Sequence, residues 1–188
     1  AAVSDLRSQM QGPLWGAAEW IPVLGQDVKT ARTLVDTLAG LVDGALVPVS
    51  QALSTVELDR LVVAEGSDRV RFDVAAIQAV ADAVKQAAPV LDEAASTVGG
   101  MGETHVAQLT EAVDTAKEKI APLAGELDEA ASLLGALPGL LGASGERVYG
   151  VLAQNNVEIR STGGLAGQCC RVAVKDGLLS LSEVEGVR

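Results

Sequence analysis

Aromatic side chains are almost missing from this 188-residue chain: Trp15, Trp20, Phe72 and Tyr149 are the only four. The core must therefore be built from Ala, Val and Leu, which suits closely spaced helices better than a sandwich of sheets. Cysteine is nearly as scarce. Cys169 and Cys170 are adjacent, so they form no spaced disulfide framework, and a zinc site would need more ligands than the single histidine, His105, provides. No unbroken run of about 18 apolar residues occurs, which argues against a membrane span within these residues. The opening, AAVSDLRSQM, lacks the basic and apolar regions of a signal peptide and begins with Ala rather than Met, as a processed or a trimmed protein does, which leaves room for an anchor or signal upstream.

Positive charge is also in short supply. The net charge is −11, and residues 1–146 carry 9 basic against 21 acidic groups, whereas 147–188 carry 5 against 4. An acidic surface repels phosphate backbones, so nucleic acid is not an expected partner. What the chain does have is length for one domain, or one plus a fragment, and 48% hydrophobic residues with which to bury a core.

Helical periodicity is strong in three segments. The first runs Val28, Ala31, Val35, Leu38, Val42, Ala45, Val49, Ala52, Val56, with Gly40, Gly44 and Pro48 expected to bend or split it. The second is Ile77, Val80, Val84, Ala87, Leu91. The third is Val106, Leu109, Val113, Ala116, Ile120, Leu123, Leu127, Ala130, Leu134, with Pro122 as a kink. Spacings that alternate three and four average about 3.5 residues, the period of left-handed supercoiling, so an antiparallel bundle over residues 3–135 is predicted. Gly66-Ser67-Asp68 and Gly99-Gly100-Met101-Gly102 read as breaks, with Asp73 as N-cap of the second run and Thr104 opening the third. LDEAAS occurs at Leu91–Ser96 and again at Leu127–Ser132. Either a helical duplication or repeated use of good helix formers accounts for it.

The pattern changes after Gly135. Residues 136–146, with LPGLLGASGER at their heart, read as a Gly/Pro-rich connector, and 147–188 as the start of a β-containing domain. Strands are predicted near 147–153, 168–175 and 178–182, with Asp176-Gly177 as a hairpin turn. The fold class is thus α+β, predominantly α: an Ala-rich helical bundle (1–135), the connector, and a short antiparallel sheet whose open edge predicts further chain past Arg188. On a strand, Cys169 and Cys170 point to opposite faces, one packed and one exposed, unless they form a vicinal disulfide or serve a redox role.

The densest polar segment is QNNVEIRSTGG. On an extended segment Glu158 and Arg160 face the same way, with Gln154 and Asn156 on that face by the same period. Gly163-Gly164 permits a turn whose N–H groups can cradle an anion. Together with Asn155 and Thr162, these groups suit a phosphate, carboxylate or sugar. Alternatively the asparagines satisfy turn backbone and Glu158 simply pairs with Arg160. His105 reads as a solvated residue beside a helix start. Trp15 and Trp20 suit either a membrane interface or packing beneath the bundle.

LPGLLGASGERVYGVLAQNNVEIRSTGGLAGQCCRVAVKDG resembles the signature of a bacterial family catalogued as domain of unknown function 4012, whose members read approximately LPxLLG, a Tyr-rich strand, QNNxExRxTGG and a strand ending in DG. The likeness runs through Gln154, Asn155, Asn156, Glu158, Arg160, Thr162, Gly163 and Gly164 in order and spacing. Upstream, PLWGAAEWIPVLGQDVKTAR (Pro13 to Arg32) is similar to the opening that follows a membrane anchor in actinobacterial members, while the middle helices match only in character. Gln168-Cys169-Cys170 departs from the small or aromatic residues expected after the Gly-Gly turn. The resemblance implies an extracytoplasmic domain of a membrane-anchored envelope protein, touching membrane only through an anchor upstream, and it implies no reaction.

Three functions fit these observations. One is a non-catalytic scaffold or binding module for an envelope glycan, an anionic ligand or a protein partner. Another is an enzyme or carrier for wall glycopolymers or lipid-linked phosphates, using Arg160 and Glu158. The last is a sensory ectodomain, which requires a cavity among the helices. No cofactor or metal is implied, and homo-oligomers through bundle seams or the sheet edge are compatible with all three.

Overall fold

A computed structural model describes residues 5, 8, 24–155, 165–182 and 185–186. The fold is α+β and predominantly helical, and the chain divides into two compact units. One draws on Ala1–Leu53 and Ala81–Ser132, the other on Ser54–Val80 and Leu133–Arg188.

Three helical stretches, one for each periodic run, supply the first unit. The first periodic run forms α1 (Leu24–Leu41), a π-helical turn (Val42–Leu46) and α2 (Val47–Ser54). The expected break therefore falls at Gly44, where a β-carbon would stand 3.1 Å from the Val90 side chain. The second run lies in α4 (Val74–Gly99) and the third in α5 (Ala107–Leu140); α3 (Leu58–Leu61) is a single turn in the other unit. Along α1, positions of rising number meet positions of falling number: Asp27 bonds to His105, Leu34 packs in one cluster with Val98, and Gly44 faces Val90. α1 and α4 are thus antiparallel.

The core of this unit joins Leu34 from α1, Ala94 and Val98 from α4, Met101 from the loop, and Val113 and Ile120 from α5. Val98 and Val113 are buried completely; Val113 belongs to the predicted seam of α5, and Val84 and Ala87 of the predicted α4 seam are buried, while Val98 lies beyond the end of that run at Leu91. The seam of α1 differs. Asp27, Thr30 and Leu34 are the deepest positions of its first turns, while Val28, Ala31 and Val35 are only half-buried. The stripe is rotated by one position because Asp27 turns inward to accept N–H bonds from His105 and Val106, which a hydrophobicity pattern does not register.

The second unit is an antiparallel sheet of order β1-β2-β5-β4-β3, with β6 also paired to β4. Its strands are β1 (Val62–Ala64), β2 (Arg69–Phe72), β3 (Arg147–Asn155), β4 (Leu165–Lys175), β5 (Leu178–Leu181) and β6 (Glu185–Gly186). The last half of the chain follows expectation closely, including the Asp176-Gly177 turn, where both residues take positive φ (48° and 77°).

Two strands correct the reading of residues 1–135 as all helix. β1 and β2 form a hairpin around Gly66-Ser67-Asp68, and β2 joins the C-terminal strands through β5, with Val70 opposite Leu179. Arg69-Val70-Arg71-Phe72 alternates polar and apolar residues, the period of a half-buried strand, and its burial alternates to match. Four residues are too few to stand out against long helical runs. The connector is also shorter than predicted, since α5 continues through Pro138 to Leu140.

Gly142, at φ 78°, then lets the backbone turn against β4, where a β-carbon would be 2.5 Å from the Val174 carbonyl oxygen. Tyr149 Oη donates to the Leu140 carbonyl (2.6 Å), and Arg147 Nε donates to that of Gly139 (3.2 Å), so exposed carbonyls at the end of α5 are satisfied from β3.

Membrane-crossing capacity also needs correction. By length and composition Gly25–Ser54 and Val74–Gly99 are apolar enough to cross a bilayer, with mean hydropathy 1.3 and 1.2. Counting unbroken apolar runs overlooks them because scattered charges interrupt each one.

Candidate functional site

The segment singled out from sequence is outside the described residues for the most part: Asn156, Glu158, Arg160, Thr162, Gly163 and Gly164 all fall there. Gln154 is exposed near the end of β3, and the backbone of Asn155 closes that strand opposite Leu165.

Strand alternation sorts the side chains of this sheet. Val70, Leu179, Val174 and Val172 share one face by cross-strand register, and Val172 and Val174 are buried. The other face takes Arg69 and Arg71 from β2, Leu178 and Ser180 from β5, and Arg171 and Lys175 from β4. In one cross-strand row Arg71 stands opposite Leu178 and Leu178 opposite Lys175. In the next, Arg69 is opposite Ser180 and Ser180 opposite Ala173.

With strands about 4.8 Å apart, the cations of β2 and β4 rise roughly 10 Å from one another. All four are exposed. Glu65 hydrogen-bonds Arg71 through Nε and, at 3.4 Å, through Nη2. The guanidinium holds the Glu65 carboxyl below its ordinary range, and the same contact raises Arg71.

An acidic protein has thus collected four cations on one sheet face, two of them from a hairpin that sequence reading had assigned to a helical region. The signal was present in two places, as R-V-R-F and R-V-A-V-K, each spacing its charges by an even number of residues so that they share a strand face. What sequence could not supply was that the two segments share a sheet.

The helical unit offers a different surface. A groove of about 570 Å³ runs between α1, the π-helical turn, α2, α4 and α5. Its walls are aliphatic: Leu38, Val42, Leu46 and Val49 on one side, Leu91 from α4, and Leu123 and Leu127 from α5. Leu91 and Leu127 are the first residues of the two LDEAAS hexapeptides. Glu126, exposed, is the charged residue of the lining. Leu38, Leu46 and Leu123 are between one-third and two-thirds exposed, so apolar side chains stand open to solvent there.

At the other end of this unit, Asp27 is buried and accepts N–H bonds from His105 (2.9 Å) and Val106 (3.1 Å), capping the start of α5 from a distant part of the chain. Burial pushes its carboxyl up, but the backbone and ring bonds from His105, with Val106, outweigh that and hold it below the ordinary value. Thr104, expected to open α5, bonds through its hydroxyl to that of Thr110 (2.7 Å). The His105 ring is largely exposed, 3.4 Å from Asp27 Oδ1, as a structural residue at a helix start would be.

Cys169 and Cys170 are both free thiols and both half-buried. Pairing with Leu152 and Val151 puts them on opposite faces as expected, but neither is fully packed or fully exposed.

Compared with known proteins, the chain matches no family model, no curated protein and no solved structure.

Proposed function

We propose that this chain is an extracytoplasmic, non-catalytic part of a membrane-anchored envelope protein, and that its sheet unit binds an anionic envelope glycan. The resemblance to domain of unknown function 4012 supplies the location. The cationic sheet face carries the binding: Arg69, Arg71, Arg171 and Lys175 stand in a flat array, presented on paired strands, in a protein of net charge −11. Guanidinium groups on a rigid sheet match carboxylate or phosphate oxygens with two donors each. A flat surface without aromatic walls suits an extended, repeating anion better than a single enclosed small molecule. The QNNVEIRSTGG segment, which follows β3, would extend the same chemistry.

The test is binding of an acidic polysaccharide, alginate, against neutral dextran across a range of salt. Binding to alginate alone, weakening at high salt and lost in the Arg69→Glu/Arg171→Glu double variant, is the expected result. Equal binding by the double variant would overturn the assignment to this face, and tighter binding of DNA than of alginate would overturn the choice of glycan.

One observation favours a second reading, a sensory ectodomain. The apolar groove among the helices is of ligand size and lies beside a π-helical turn, a distortion frequent at functional sites. A neutral aliphatic chain fits its lining, because the carboxylate of Glu126 disfavours an anionic head. Dodecanol should raise the melting temperature and dodecanoate should raise it less. No stabilisation by either would remove this reading.

A further inference from the structure

β3 ends the sheet, and nothing among the described residues pairs with its outer edge. The opposite edge, β1, is three residues long, a length that leaves little to pair. β3 is nine residues long, and its protections are confined to its ends. Between Arg147 and Asn155 it carries no charged side chain and no proline, in a chain where charged residues are 21% of the whole. Its one irregularity, between Ala153 and Gln154, lies at the far end. Val148, Val151 and Leu152 are 47%, 45% and 66% exposed, and they belong to both faces of the strand.

We infer that β3 pairs antiparallel with β3 of a second copy of this chain, about a two-fold axis at Val151. This register sets Val151 against Val151, Gly150 against Leu152 and Tyr149 against Ala153. Leu152 then lies beside Gly150, where a β-carbon would meet nothing within 4 Å, so the exposed leucine gains cover without a clash. No charge opposes a like charge along the paired residues, so the neutrality of this strand favours its own copy over an acidic or basic partner strand.

Two-fold antiparallel pairing of edges keeps equivalent faces on the same side of the joined sheet. The two sets of Arg69, Arg71, Arg171 and Lys175 therefore become one surface. That consequence rests on the proposed glycan-binding function, and it names the ligand more closely: a polyanion long enough to span both sets, held by avidity.

Three measurements test this. Sedimentation velocity of the chain should show a concentration-dependent dimer, abolished in Val151→Lys, which sets like charges against each other at the axis, with an unchanged far-ultraviolet circular dichroism spectrum. Val151→Cys, made with Cys169→Ser and Cys170→Ser, should cross-link two copies on mild oxidation because the axis passes through that position. Val151 faces away from the cations by its pairing with Cys170, so alginate should bind Val151→Lys about 100-fold more weakly than the parent, while a short acidic oligosaccharide binds both alike.

A parent that stays monomeric at its highest soluble concentration overturns the pairing. So does a dimer that Val151→Lys leaves intact and Val151→Cys fails to cross-link. A dimer of the expected kind that binds neither polymer nor oligosaccharide leaves the pairing standing and overturns the glycan reading. A monomeric Val151→Lys that binds alginate as well as the parent overturns the avidity step alone.

Discussion

Replacing Gly177 by Ala separates two costs that glycines in turns usually confound, backbone conformation and space. Gly177 has φ 77°, a left-handed conformation that an alanine adopts at a cost of about 1–2 kcal/mol. A β-carbon there would also overlap the Phe72 carbonyl oxygen and stand 2.7 Å from Val74 Cγ2. The obstructing backbone cannot withdraw freely, because Phe72 N–H donates to the Gly177 carbonyl at 2.9 Å. Losing or stretching that bond adds about 1–2 kcal/mol, for roughly 3 kcal/mol in all.

Gly66 is the control. It sits in the β1–β2 turn at φ 104°, but the nearest atom to a β-carbon there is Asp68 Oδ1 at 3.7 Å, so only the conformational cost applies. Amide hydrogen exchange at Phe72 reads both variants, since β2 adjoins both turns. At about 1.4 kcal/mol per tenfold, Gly177→Ala should speed exchange by about 100-fold and Gly66→Ala by about tenfold. Equal acceleration in the two would show that the close approach of Gly177 to β2 contributes nothing, and the packing argument would fail.

The remaining expectations concern the core, a buried carboxylate and a surface pair. Val98→Ala removes two methyl groups from a site with no solvent exposure and should cost about 2 kcal/mol, lowering Tm by about 4–8 °C in a thermal melt, whereas Leu133→Gln at a 64% exposed site should change stability by less than about 0.5 kcal/mol. Asp27 has its carboxyl held low in the folded state, so its stabilisation is present above the ordinary carboxylate value of about 3.9 and is lost as pH falls through the lower folded value. Asp27→Asn should therefore melt below the parent at pH 7, with the gap closing once the pH drops under about 4; a gap unchanged down to that range would mean that the charge is not what caps α5. Glu65→Gln weakens an exposed pair with Arg71 and should leave the melting temperature unchanged within error while strengthening alginate binding, since it frees a guanidinium.

Legibility in sequence followed the range of the interactions involved. The helices of α4 and α5 and their seam residues Val84, Val113 and Ile120 could be read because their pattern repeats over many turns. The Asp176-Gly177 hairpin could be read because two adjacent residues specify it. Asp73 was identified as an N-cap by type and place, and it accepts the Ala76 N–H bond at 2.9 Å. What escaped was non-local. Asp27 caps a helix that starts 80 residues later, and β2 finds its partner in a strand over a hundred positions away, so neither pairing leaves a trace in its own neighbourhood. The same limit hid the cationic face, whose two halves look unremarkable until the strands meet.

That division has a consequence for how charge should be reasoned about in this protein. A net charge of −11 describes the far field, which repels polyanions at low ionic strength and is largely screened beyond a Debye length of about 8–10 Å near physiological salt. Within that distance the sum no longer matters, and the sign of the face presented does. Acidic groups here are concentrated on helix surfaces, whereas the solvent side of the sheet carries Arg69, Arg71, Arg171 and Lys175. Approach of an anionic polymer is therefore slowed by the molecule as a whole and rewarded only at one orientation, an arrangement that gives selectivity for surface geometry at the expense of association rate. Added salt should act in two opposing ways, relieving the long-range repulsion and weakening the short-range contacts. Affinity for alginate should consequently pass through a maximum at low to moderate ionic strength instead of falling steadily. A protein that binds polyanions by overall positive charge shows only the steady fall, so the shape of this curve distinguishes an oriented cationic face from diffuse attraction.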